Sequence, residues 1–367
     1  MSSLPWKIIF EILALPPDTA AYLDWTTGIL RINANYEQWF DLISRTDGGI
    51  LVPTTLSSQE LDLLETVTHE STHLLQIVTT GFLYSVAVEL YAGIGTYVES
   101  FGSSFGEDDV LAILEHGIPA ALMEEIRSIL LRLDVCGPDN VTARSIVESS
   151  AFMAQKRTHH LGLSRQKYAQ MLETQCPGPE YRRAYDVAVQ YLGDDAFDLF
   201  PLLASLSLCT RRPEQIFSSF CEQISKENGP SGAYISVPGQ SEVSIDLGGF
   251  LRVLNAISAE LIGSAAQAAA NLPEHPFYTD IVNQINLLNR DGAISLDRYI
   301  TAPHEIQERL FEECLRPMIF NRSGEHIRPI VIPGGLWPTL SKEAQAEKVR
   351  GLIVIAAIYS KTLAKVS

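Results

Sequence analysis

The chain is 367 residues long, 46% hydrophobic and 19% charged, a composition that supports a large buried core and excludes wholesale disorder. A formal net charge of -17 argues against a nucleic-acid backbone or an anionic membrane as partner and leaves a small or peptide substrate open. The five cysteines, Cys136, Cys176, Cys209, Cys221 and Cys314, form no CxxC pair and read as reduced thiols of a cytoplasmic protein rather than a disulfide framework.

At the start, Glu11 interrupts the short apolar run after Lys7, so no secretory signal is expected. Apolar runs such as Leu352 to Tyr359 fall well short of the roughly 20 residues that a membrane span needs. Residues 1–57 mix turns with short β-like runs at Ile8 to Ala14, Ile29 to Ile32 and Ile50 to Val52, the last behind Asp47-Gly48-Gly49. They predict a small sheet, whose free edge would hold an extended peptide by strand addition.

A long helix is expected next. Ser57 with Glu60 reads as a capping box, Leu61, Leu64, Val67, Leu74 and Ile77 form an apolar stripe, and Gly81 stands where the helix would stop. Inside it lies His69-Glu70-Ser71-Thr72-His73, the one HExxH of the chain. A second helix is expected from about Leu83 to Phe101, weakened by Gly93 and Gly95.

The remainder reads as helical, with Pro and Gly as punctuation at Gly117-Ile118-Pro119, Cys136-Gly137-Pro138, Cys176-Pro177-Gly178-Pro179 and Arg212-Pro213. Asn228 to Gln240 is the clearest long loop, followed by an alanine-rich helix from Gly249 to Asn271. A last helix, from about Ser341 to Ala364, has an apolar centre at Leu352 to Ala357 and should be buried. The expected fold is mainly α, of α+β type: a small β-containing region at 1–57, a helical metal-site region at 58–228 and a C-terminal helical lobe at 229–367.

Two histidines four apart on a helix lie one turn above each other, so both imidazoles reach a single metal ion. Glu70 then projects beside the metal, where it can accept a proton from metal-bound water. The plainer alternative is a helix that happens to carry two histidines, but burying them with a glutamate and no shared partner is costly.

A catalytic zinc takes three protein ligands and a water. The metzincin continuation is absent, because Leu74-Leu75-Gln76-Ile77-Val78 follows and the next histidine is His116. The motif resembles that of the gluzincins, in which a glutamate from a later helix completes the site. The resemblance covers the HExxH helix and a possible glutamate helix. It implies a zinc-dependent peptidase with His69 and His73 as ligands and Glu70 as base.

Three glutamates compete for third ligand. Glu148 is placed first, because Ser149, Ser150 and Ala151 beside it allow close helix approach; Glu89 and Glu99, on the next helix, are the alternatives. Gln76 shares the face of the two histidines and could line the pocket or contact substrate. Glu65 shares it too, and could orient an imidazole or simply bond at the surface. His159, eleven residues past Glu148, is about 16 Å along a straight helix and could line the site without binding the same ion. His116, His275, His304 and His326 have no motif partner. Arg316, Arg322 and Arg328 make the surroundings of His326 basic, which would neutralise nearby acids or receive a carboxylate. The donor to a developing oxyanion is not identified.

The leading expectation is a zinc metallohydrolase that cleaves a peptide or protein substrate. Two histidines and a carboxylate also suit non-haem iron, so an iron oxygenase is the first alternative. A ferritin-like di-iron site is disfavoured, since Glu70-Ser71-Thr72-His73 is the single ExxH. The second alternative is a non-enzymatic helical interaction protein with a structural metal.

Overall fold

The computed structural model describes residues 6–45, 56–101, 107–159, 164–226, 260, 261, 263, 264, 318–320, 328, 329 and 341–366, and the account below concerns these. The chain begins with α1 (Trp6–Leu13), where a β-like run was expected. Ile9 and Leu13 are buried four residues apart, and the Trp6 and Phe10 rings lie 5.6 Å apart. A spacing of four buries one helical stripe, and here it overrides the β-branched composition.

β1 (Ala21–Leu23) and β2 (Leu30–Ile32) form an antiparallel hairpin in which Leu23 faces Leu30. Its turn is closed by Asp24, whose Oδ1 accepts the backbone N–H groups of Thr26 (3.1 Å) and Thr27 (2.9 Å) and the Thr27 hydroxyl (2.8 Å). Gly28 completes the turn at φ 69°, a left-handed conformation suited to glycine. β3 (Met318–Phe320) adds parallel to β2, and β4 (Arg328–Pro329) antiparallel to β3, giving the order β1-β2-β3-β4. α2 (Tyr36–Ser44) packs Trp39 and Leu42 with Leu30, Ile32 and Phe320 in a small core over this sheet.

α3 (Ser58–Thr79) starts at the expected capping box. Ser57 Oγ accepts Glu60 N–H (3.3 Å), and Glu60 Oε2 accepts Ser57 N–H (2.8 Å). Extended backbone at Thr80 ends it, and α4 (Gly81–Glu99) begins at once. α4 runs unbroken through Gly93 and Gly95. A Cβ at Gly93 would lie 3.3 Å from Leu122, so this glycine permits close approach of α6 (Ala120–Leu131), which follows α5 (Glu107–His116).

α7 (Ala143–His159), α8 (Arg165–Thr174), α9 (Arg183–Leu192), α10 (Ala196–Leu208) and α11 (Pro213–Lys226) build the main core around Tyr84, Phe152, Phe200 and Phe217. α12 (Lys342–Val366) buries Leu352 through Tyr359 and packs on α1, α4 and α5. The sheet and α12 therefore join the two ends of the chain.

The expectations for Ile50 to Val52, Asn228 to Gln240, Cys314, Arg316, Arg322, His275, His304, His326 and most of Gly249 to Asn271 fall outside the described residues. Cys136, Cys176, Cys209 and Cys221 are free thiols. No single helix among the described residues is long and apolar enough to cross a membrane.

Candidate metal centre

The most extensive contact between elements is α3 on α7. Ser145, Ser149, Ser150 and Ala151 are buried along α7, so backbones approach closely where Glu148 projects. Polar pairs cross the seam in three places. Glu65 meets Lys156 and Gln155, His69 and His73 meet Glu148, and Gln76 meets the Val147 carbonyl. Partners descend along α7 as they ascend along α3, so the two helices run antiparallel.

At the centre, His69 Nε2 lies 3.2 Å from Glu148 Oε2, His73 Nε2 lies 3.4 Å from the same oxygen, and the two nitrogens are 3.0 Å apart. A tetrahedral zinc with bonds of about 2.0–2.2 Å separates its ligand atoms by about 3.3–3.6 Å, close to this triangle. The donor set therefore fits such an ion in both chemistry and spacing. His69 and His73 are buried, while the Glu148 side chain keeps 15% exposure and leaves one side of the cluster accessible.

The imidazoles and the carboxylate stabilise each other's charged forms. Burial alone would raise the Glu148 carboxyl, but His73 and the hydrogen bonds from both imidazoles outweigh it and hold the carboxyl well below its usual range. Burial likewise pulls His73 down, and Glu148 reverses this, pushing the imidazole up to about 9. His73 Nδ1 lies 3.1 Å from Gln76 Oε1, whereas His69 Nδ1 is buried with no hydrogen-bond partner among the described residues.

Glu70 is set by the hairpin. Leu23 N–H donates to Glu70 Oε2 at 2.8 Å, and the Trp25 ring from the same turn lies 5.8 Å from that of His73. Burial raises the Glu70 carboxyl, only partly offset by His73 and His69, and the side chain stays partly exposed. Ala21 and Leu23 are themselves buried, and the Leu23 amide is occupied by Glu70. At these residues the expected open sheet edge is covered by α3.

Of the other expected residues, Glu89 is turned away: it is exposed and pairs with Arg132 at 3.2 Å. Glu99 ends α4 and His159 ends α7, and the side chains of both lie outside the described residues. Glu65 is buried against Lys156 and Gln155 instead of holding the Nδ1 atom of either histidine. Gln76 is buried, with its amide taken up by His73 and Val147 rather than presented to a reactant.

Three further residues border the cluster. Tyr181, in the short 3-10 turn Pro179–Tyr181, sets its ring tilted against that of His69, 5.7 Å between centroids, and edge-on to that of Phe152 at 6.0 Å. Ser149 on α7 fixes that turn by donating to the Glu180 carbonyl at 3.2 Å. Burial, with Glu148, Glu180 and Glu70 nearby, pushes the Tyr181 phenol up to about 12, so it stays a donor at neutral pH. The other two are Leu23 and Trp25. A backbone amide has no sequence signature, and the rings lie far from the motif in the chain. The Pro177-Gly178-Pro179 turn before Tyr181 was the one visible sign of a rigid loop there.

Compared with family models, curated proteins and solved structures, the chain matches none.

Proposed function

We propose that this chain is a zinc-dependent metallohydrolase that cleaves an amide bond in a peptide or protein. The observation that carries the reading is the convergence of His69 Nε2, His73 Nε2 and Glu148 Oε2 within 3.4 Å of one another, with partly exposed Glu70 beside them. Zinc in such a set supplies a Lewis acid that makes water acidic near neutral pH.

The protein's own groups do the rest. Glu70 takes the proton of the attacking water and returns it to the leaving amine. The Leu23 amide holds the carboxylate in place. We assign the donor to the oxyanion that develops on the carbonyl to Tyr181, whose ring borders His69. The same three ligands suit non-haem iron, but a base at the Glu70 position favours hydrolysis over oxygen chemistry. Free thiols at four cysteines support a cytoplasmic location.

The test is metal analysis of protein purified without added metal, followed by incubation with a mixed peptide library read by mass spectrometry. Near-stoichiometric zinc with cleavage lost on chelation is expected. Near-stoichiometric iron with oxygen-dependent turnover would overturn the assignment.

A further inference from the structure

Gln76 joins one proposed ligand to the helix that carries another. It sits three residues after His73 on α3, buried, with Oε1 3.1 Å from His73 Nδ1 and Nε2 donating to the Val147 carbonyl at 3.3 Å. Val147 is the residue before Glu148. We propose that Gln76 is a positioning residue that keeps the proton of neutral His73 on Nδ1, leaving the Nε2 lone pair to bind metal, and ties that ring to the backbone beside the third ligand. The proposal rests on the metal-centre reading.

Donors and acceptors can be arranged along this chain of hydrogen bonds in one direction. A backbone carbonyl only accepts, so the group that Gln76 turns toward Val147 must be its NH2. Its oxygen then faces His73, and an amide oxygen also only accepts. Nδ1 must therefore carry a proton, and the Nε2–H that Glu148 accepts is then the second one, which a metal ion would displace. A neutral imidazole carries one N–H, so Nε2 is left with a lone pair, pointing at His69 Nε2 and Glu148 Oε2. When His73 carries two protons the Nδ1–H bond is the same, and losing the other proton leaves the correct tautomer. His69 shows the contrast, for its Nδ1 meets no such partner among the described residues. Fixing a ligand imidazole through its second nitrogen is what neighbouring hydrogen bonds do in metal sites.

Two variants separate this role from simple packing. Gln76→Met keeps length but removes acceptor and donor, while Gln76→Glu keeps the acceptor and loses the bond to Val147. Imidazole 15N shifts of the full chain, metal-free and followed upward in pH until the His73 signals stop moving, report the tautomer of the neutral ring. Competition with a chelator reports zinc affinity. The wild type and Gln76→Glu should show Nδ1–H, whereas Gln76→Met should shift toward Nε2–H and bind zinc about 10- to 100-fold more weakly.

Retention of Nδ1–H in Gln76→Met, or zinc affinity equal to wild type, would overturn the proposal. So would Nε2–H at His73 in the wild type, a result that needs no variant to fold. If the wild type binds no zinc, the metal-centre reading falls, and the nitrogen shifts still decide the role of Gln76.

Discussion

Replacing Glu148 by glutamine keeps the side chain's shape and removes its charge, which isolates the interaction at the centre of the cluster. In metal-free protein His73 is held at about 9 against an ordinary 6.5, with Glu148 overcoming the opposing effect of burial. The folded pKa is the higher one. The His73 contribution to stability is therefore fully present below 6.5 and is lost as pH rises through about 9. The gap corresponds to about 3 kcal/mol, a large share of the 5–15 kcal/mol typical of a folded protein.

Glu148 behaves oppositely. Its folded pKa is depressed, so its contribution appears above 4.5 and fades as pH falls below it. In Glu148→Gln the main force raising His73 is gone, and only Glu70 and the Gln76 hydrogen bond are left to oppose burial. The assay is urea unfolding with chelator present, run at intervals from pH 6 to 9 on both proteins, since groups common to both cancel in the difference. Wild type should lose about 3 kcal/mol relative to Glu148→Gln across that span. Parallel stability profiles would show that Glu148 and His73 do not interact as placed and would refute the reasoning.

Other consequences follow from single contacts. Glu70→Gln should abolish turnover while zinc content, read by mass spectrometry, stays at the wild-type level; His69→Ala and His73→Ala should lose both. Tyr181→Phe should keep the metal and lower kcat by about 10²- to 10³-fold, the usual cost of one oxyanion donor, and unchanged kcat would remove Tyr181 from the mechanism. Lys156→Met takes the cation away from the buried Glu65 carboxylate, with side chains only 7% and 5% exposed in the intact pair, and should cost about 3–5 kcal/mol in chemical denaturation. The double variant Glu65→Met/Lys156→Met should recover most of that loss. Equal losses in single and double variants would mean that the pair does not set the α3–α7 seam.

The parts of this site that could be read from sequence were those in which local chemistry and tertiary need agree. Ser57 and Glu60 cap each other within one turn, and the apolar stripe of α3 settles the helix before any partner is known. Glu148 was recognisable because the small residues after it serve the same close approach that brings it to His69. Trp6 to Leu13 misled, since a short apolar run carries both periods and only packing decides between them.

Other features depend on pairings made across long stretches of chain. Leu23 acts through its amide, and Tyr181 borders His69 in a turn that Ser149 of α7 hydrogen-bonds. The parallel pairing of Leu30 with Met318 likewise has no local cue. Gln76 was visible as a neighbour on the histidine face, but its two bonds require α7 in place.

The central claim is that one cation sits among His69, His73 and Glu148 with a side left open to a reactant. Anomalous diffraction measured above and below the zinc edge, on crystals grown without added metal, tests it most directly. The account predicts a single strong peak within about 2.0–2.2 Å of both Nε2 atoms and of Glu148 Oε2, with at least one coordination position held by solvent. No peak there after zinc loading, or a closed shell of four protein ligands, would contradict it.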